Sequence, residues 1–142
     1  MLKGINPIIS PELAKVLMEM GHTDEIVICD GNMPVGALNQ RIVQLYGLSV
    51  TEILEAVLEV MPLDQSVERP VAVVGSEDAP KAIWKSFSEI IGASEERKAF
   101  EKGLECVNQE AFMVRCRNAY ALIATTEKTL AANILLRKGV IC

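Results

Sequence analysis

Apolar residues along this chain recur at two spacings, helical and continuous, which alternate from the N-terminus onward. Leu13, Val16, Leu17 and Met20 fall on one helical face. Ser10 can cap the free N–H groups ahead of them, and Pro11 suits the first helical position, where its missing donor costs nothing. Gly21 is a natural stop. The run Glu25-Ile26-Val27-Ile28-Cys29 is rich in β-branched residues and reads as a buried strand ending at Asp30. Gly31-Asn32-Met33-Pro34-Val35-Gly36 then has the chemistry of a loop, and Arg41 to Leu45 that of a strand. Ser49-Val50-Thr51-Glu52 is a capping box that opens a helix with the stripe Ile53, Leu54, Val57, Leu58 and Met61, stopped by Pro62.

The second half continues the alternation. Val71 to Val74 is a short strand, and a helix from Pro80 to Ile91 turns Ile83, Trp84, Phe87 and Ile90 inward before Gly92 ends it. Trp84 and Phe87 are therefore expected in the core. Charges dominate between Ser94 and Lys102, which predicts a solvated turn or helix. Leu104 to Val107 reads as a strand, Asn108 as the cap of a helix carrying Phe112 and Cys116, and Tyr120 to Ala124 and Ile134 to Leu136 as the last strands. The pattern predicts an α/β fold, a single three-layer domain over residues 1–142 with helices packed on a central sheet. Polar residues at strand ends and in the adjoining loops are its expected site.

Composition narrows the function. With 142 residues, 50% of them apolar, the chain can build one continuous core without staples. A net charge of -5 disfavours a nucleic-acid partner, whose phosphates call for Lys and Arg, and suits a small neutral ligand or a protein partner. There is no signal-peptide pattern and no apolar span of about 18 residues, so no membrane partner and a cytoplasmic location are expected. Cys29, Cys106, Cys116 and Cys142 lack CxxC spacing and would have to share one histidine in any zinc site. No metal is expected, and all four read as buried thiols.

That one histidine, His22, is the candidate proton carrier, because imidazole is the side chain that titrates nearest neutral pH. The plainer alternative is an exposed residue just past a helix end, favoured slightly by the helix dipole. Asp24 is a possible orienter of the imidazole, or simply a turn residue bonding its own backbone. Asp30 ends an apolar strand and could grip sugar hydroxyls, or serve an Asx-turn. His22 and Asp30 bracket the strand, and at about 3.3 Å per residue it holds them about 20 Å or more apart. They cannot readily share a site within one subunit; a subunit interface would remove the difficulty. Gly31 and Gly36 form no phosphate-binding loop, since neither GxGxxG nor GxxxxGK[ST] is present.

The opening MLKGINPIISPELAKVLMEMGHTDEIVICDGNMP and the closing AANILLRKGV resemble the L-fucose mutarotase and D-ribose pyranase family, closer to the fucose branch. The resemblance spans nearly the whole chain and is dense in these end segments. It implies a sugar mutarotase that interconverts the α and β anomers of a monosaccharide, L-fucose first, by acid-base ring opening without a cofactor. It further implies His22 as proton donor, Asp30 on the sugar, Asn133 in a C-terminal binding triplet, and ring-shaped homodecamers with clefts near subunit contacts. The chain departs from the pattern at three places. Gln109 stands where fucose-type members commonly have arginine and ribose-type members histidine, Ala131 replaces a tyrosine of the triplet, and Asn32-Met33-Pro34 replaces His-Phe-Pro. Gln109 still donates and accepts hydrogen bonds, but charge-assisted bonds are about twice as strong as neutral ones. Ala131 removes an aromatic face and a hydroxyl. Retained chemistry with altered specificity is the expectation; D-ribose pyranase activity or non-catalytic sugar binding on the same scaffold are the alternatives.

Overall fold

In the computed structural model, which describes residues 1–142, the capping residues act where the sequence places them. The Ser10 hydroxyl accepts the Leu13 N–H, and Pro11 opens α1 (Pro11–Glu19). A tight turn, in which Thr23 takes a φ of 78°, leads into β1 (Glu25–Cys29). After α2 (Val35–Leu38) and β2 (Ile42–Gln44), the Ser49–Glu52 capping box starts α3 (Val50–Leu58). There follow β3 (Val71–Val74), α4 (Ala82–Ala93), a 3-10 helix (Glu95–Phe100), β4 (Glu105–Val107), α5 (Gln109–Asn118) capped by Asn108, β5 (Ala121–Ala124) and β6 (Ile134–Arg137).

The strands form one sheet in the order β2-β5-β1-β6-β3-β4. β1 pairs parallel to β5, β5 to β2 and β3 to β4, while β6 runs antiparallel to both β1 and β3. All strands except β6 therefore end at one edge of the sheet, where β6 begins. Alternate strand residues face two helical layers. Ile26, Ile28, Val71, Val73, Ile123 and Ile134 pack with Leu13 of α1, Ile53 and Val57 of α3, and Trp84 and Phe87 of α4. Val27, Cys29, Ala72, Leu122 and Leu135 pack on the other side with Leu38 of α2 and Phe112 and Cys116 of α5. The chain is thus a mixed α/β domain with helices on both faces, as the alternation of elements predicts. Trp84 and Phe87 are in the core, although the buried Trp84 Nε1–H has no partner. No helix is long and apolar enough to cross a membrane.

Local details differ from the sequence reading: α4 begins at Ala82 and runs through Gly92 to Ala93. Val35–Leu38 is a single helical turn rather than loop; four residues are too few to show a period, and Leu38 is drawn inward against the α5 layer. α3 ends at Leu58, although the Met61 N–H still reaches the Val57 carbonyl. Only Cys29 and Cys116 are buried thiols: Cys106 is half-buried on the edge strand β4, and Cys142 is exposed at the C-terminus. Burial above all, with Cys116 and Asp30 adding to it, pushes the Cys29 thiol well up, and burial raises Cys116 to about 11. Thiolate is the reactive form. A thiol reagent at neutral pH should therefore modify Cys142 quickly, and Cys29 and Cys116 only as the chain unfolds. Mass spectrometry of the labelled peptides reads this directly, and Cys29 labelling as fast as Cys142 would contradict the packing of β1.

Candidate functional site

The carboxyl edge of the sheet gathers polar groups that strand ends cannot bury unaided. Asp30 follows β1 and Asn133 precedes β6, both almost fully buried. They pair reciprocally: the Asp30 N–H donates to Asn133 Oδ1 at 2.8 Å, and Asn133 Nδ2 donates to Asp30 Oδ2 at 3.2 Å. Asp30 Oδ1 also accepts the Asn32 N–H at 2.9 Å, so the residue makes its Asx-turn and faces the cavity at once. Thr125, just past β5, ties two strand ends together by donating to the Cys29 carbonyl at 2.7 Å. The Gly31 N–H donates to the Glu127 carbonyl, and an added Cβ would stand a tight 3.1 Å from that oxygen.

Beside this pair lies a cavity of about 400 Å³. Its polar lining is Asp30, Asn32, Lys81, Gln109 and Asn133, and Met33, Phe112 and Met113 supply apolar wall. Gln109 enters from the first turn of α5, which begins where β4 ends. Ala131 lines the cavity in a left-handed conformation, φ 53°. Carboxylate, amide and apolar surfaces within a few ångströms of each other are the chemistry that binds a polyhydroxylated ring.

His22 lies at the opposite edge. Its ring is partly exposed, and Nε2 sits 3.0 Å from Oδ1 of Asp64, whose side chain is only 1% exposed. Asp64 also accepts the Ser66 N–H at 2.9 Å, the Ser66 hydroxyl at 2.7 Å and Arg137 Nε at 2.8 Å. Burial alone would raise the Asp64 carboxyl, but the bonds from Ser66, Arg137 and His22 outweigh it and hold the group well below the usual carboxylate range. An ionised carboxylate only accepts, so Nε2 carries the hydrogen toward Asp64 and Nδ1 is left without a partner in the protein. The backbone secures this corner. Asp64 N–H donates to the Arg137 carbonyl, Thr23 N–H to the Lys138 carbonyl, and Gly139 N–H to the Pro62 carbonyl. A Cβ at Gly139 would run into the backbone of Leu63.

Of the four residues singled out in the sequence, the fold brings Asp30, Gln109 and Asn133 together and sets His22 at the far end of β1, in keeping with the strand-length argument. Asp24 is not the orienter of the imidazole: its Oδ2 accepts the Gly21 N–H at 2.8 Å, a bond within its own turn. Asp64 holds the ring instead, and its distance of 42 residues along the chain leaves no local signal. Lys81, directly before α4 and well past the end of β3, also lines the cavity and was not singled out in the sequence. No three His, Cys, Asp or Glu side chains converge into a metal-holding group.

Asp64→Asn tests the ion-pair corner. A carboxyl held below its unfolded value, near 3.9, stabilises the fold above that pH, and the stabilisation is lost as pH falls toward the folded value. Thermal unfolding of the native chain should therefore lose stability on acidification below about pH 4 more steeply than that of Asp64→Asn. Parallel curves would mean that Asp64 is not held as described. Asp64→Ala, which takes the shared acceptor from the partly exposed Arg137 and His22 and the exposed Ser66, should cost roughly 1 to 3 kcal/mol.

Residues 3–141 match the family model described as the RbsD / FucU transport protein family. An L-fucose mutarotase of Haemophilus influenzae is 34% identical over 140 residues, 99% of this chain and 97% of its own length. The crystal structure of the fucose mutarotase in complex with L-fucose from Streptococcus pneumoniae superposes with a TM-score of 0.88 at 35% identity, covering 99% of this chain and 100% of that one. Bacillus subtilis RbsD complexed with D-ribose superposes over the full length of both chains with a TM-score of 0.73 at 25% identity.

Proposed function

The chain belongs to the RbsD / FucU transport protein family, and from that premise we propose that it is a sugar mutarotase, one mutarotase-like domain over residues 1–142 that interconverts the α and β anomers of L-fucose. The observation that carries the proposal is the division of the molecule into two half-sites. One is a histidine with a free, oriented Nδ1; the other is a cavity floored by the buried Asp30–Asn133 pair. The fucose-bound relative fits this chain better than the ribose-bound one, in fold and in sequence, which favours L-fucose over D-ribose.

Mutarotation breaks the bond between the anomeric carbon and the ring oxygen. The ring oxygen leaves with the electron pair and takes a proton, while the anomeric hydroxyl gives up its proton to a water molecule and becomes the aldehyde oxygen; reclosure runs the same transfers in reverse. Rotation of the aldehyde and reclosure on its other face yield the other anomer. Only protons move, so no redox or group-transfer cofactor is required. His22, protonated at Nδ1 and held by Asp64 through Nε2, is the proton donor to the ring oxygen. Asp30, Gln109 and Asn133 hold the hydroxyls. A positioned general acid contributes about 10² to 10⁴-fold, enough for a reaction that already proceeds in water.

Because the two half-sites lie at opposite edges of the sheet, each cleft in this reading is completed by His22 of one subunit and the Asp30 cavity of another; the ring of ten that the family resemblance implies is an assembly of this kind. An exposed apolar groove lined by Leu2, Ile5, Met18, Val60 and Ile141 supports self-association, since a contiguous patch of this kind on one subunit is costly in water. It borders Lys138, the residue whose carbonyl pins the His22 turn. We place the protein in the cytoplasm, where four unpaired thiols stay reduced.

Saturation-transfer NMR on the anomeric protons of L-fucose tests the chemistry. The native chain should accelerate exchange, and His22→Asn should lose about 10² to 10⁴-fold; an undiminished variant, or an inactive native chain, would sink the proposal. Mixing tests the assembly. His22→Asn and Asp30→Asn chains, each inactive alone, should regain about a quarter of native activity when co-assembled at equal ratio, because a quarter of the shared clefts are then intact. No recovery in verified mixed oligomers would place both residues in the same subunit's site.

A further inference from the structure

Among the polar groups lining the Asp30 cavity, Asp30 is a carboxylate, Asn32, Gln109 and Asn133 are amides, and Lys81 is the single cation. We infer that Lys81 is a substrate-binding, specificity-determining residue of this chain, its ammonium donating to an oxygen of the monosaccharide held by Asp30 and Asn133; this rests on the sugar-binding function proposed above.

Lys81 is unlike the solvated lysines of the surface. It is half-buried, directly before α4, and its Nζ donates to the Val74 carbonyl at 3.0 Å, at the carboxyl end of β3. Its stem runs along Gly75, which has a φ of 145°. A Cβ on Gly75 would lie 2.9 Å from the Trp84 ring and 3.5 Å from Lys81 Cε. Glycine at this position is required by its φ and by the Trp84 ring, and the lysine stem passes it at ordinary van der Waals distance. No carboxylate pairs with the ammonium: the ion pairs of the molecule are made by Lys15, His22, Arg69, Arg115 and Arg137. An ammonium has three donors, and Val74 takes the one that is used within the protein. The other hydrogens are free for an acceptor in the cavity.

The pairing with Asp30 gives the donor its meaning. Asp30 accepts hydroxyl hydrogens and Lys81 offers hydrogens to hydroxyl or ring oxygens, so the pair selects sugars whose oxygens reach both. Gln109 contributes no charge, so the charge-assisted bond to the sugar from a cation comes from the β3–α4 side of the cavity rather than from α5. The Val74 bond already restrains the side chain, which lowers the ordering cost on binding. The proton-transfer step belongs to His22, so Lys81 acts on affinity.

The test compares the native assembled chain with Lys81→Gln and Lys81→Arg in L-fucose titrations and in the anomeric-exchange assay. Lys81→Gln should weaken L-fucose on the order of ten- to a hundredfold, seen in both Kd and KM, with kcat unchanged. Lys81→Arg should restore most of the affinity, and the ranking of L-fucose against its epimers should shift in Lys81→Gln. Gln can still donate to the Val74 carbonyl; if its circular dichroism departs from native, Lys81→Met with native dichroism takes its place. Unchanged KM in the neutral variant of an active protein overturns the Lys81 assignment and leaves the mutarotase function standing. A fall in kcat at constant KM overturns it equally. A native chain that neither binds nor turns over any sugar removes the mutarotase function and the assignment together.

Discussion

Strand β6 is the hydrogen-bonded link between two blocks of parallel strands, β2-β5-β1 on one side and β3-β4 on the other. Its antiparallel direction has consequences at both ends. Asn133, at its start, lies beside the carboxyl end of β1 and closes the reciprocal pair with Asp30. Arg137, at its end, lies at the opposite edge and holds Asp64, which in turn holds His22. One fully buried strand, Ile134 to Leu136, therefore fixes the geometry of both half-sites. Neither half can shift without disturbing the core between them.

The two edges use different electrostatics. At the carboxyl edge, a buried carboxylate is balanced by backbone and amide donors, and its cavity remains open to a neutral, hydroxyl-rich ligand. At the other edge the groups are ionic. Arg137 bonds Asp64, and Arg115 bridges Glu25 and Glu105. Buried ion pairs stabilise little in net terms because desolvation offsets the attraction. What this cluster supplies is direction: an ionised Asp64 decides which imidazole nitrogen carries hydrogen toward it and which is left without a protein partner. Positioned proton transfer depends on such placement more than on extra binding energy.

Helix starts, strand cores and the α/β alternation were legible in the sequence, because caps and hydrophobic periods report interactions within a few residues. Ser10, Ser49 and Asn108 all cap as read, and the strand placed at Glu25 to Cys29 is the observed β1. The one-turn helix at Val35–Leu38 was not legible, since a single turn shows no period and forms because Leu38 has a core to enter. His22, Asp30, Gln109 and Asn133 were identified through chemistry and resemblance. Asp24, the sequence neighbour of His22, was readable as a turn residue or as an orienter of the ring; the turn bond is what forms, and the true partner, Asp64, has no signal near His22 in the chain.

By itself, then, the sequence determined the elements, the layering and the chemical groups available, all of which follow from local periodicity, capping and residue type. Tertiary structure alone decided their arrangement. The Asp30–Asn133 pair joins residues 103 apart, the His22–Asp64 contact spans 42, and Lys81 enters the cavity only because β3 is two strands from β1. Such contacts depend on strand order and direction, which are set when distant apolar faces close on one another, and no short stretch of chain encodes them.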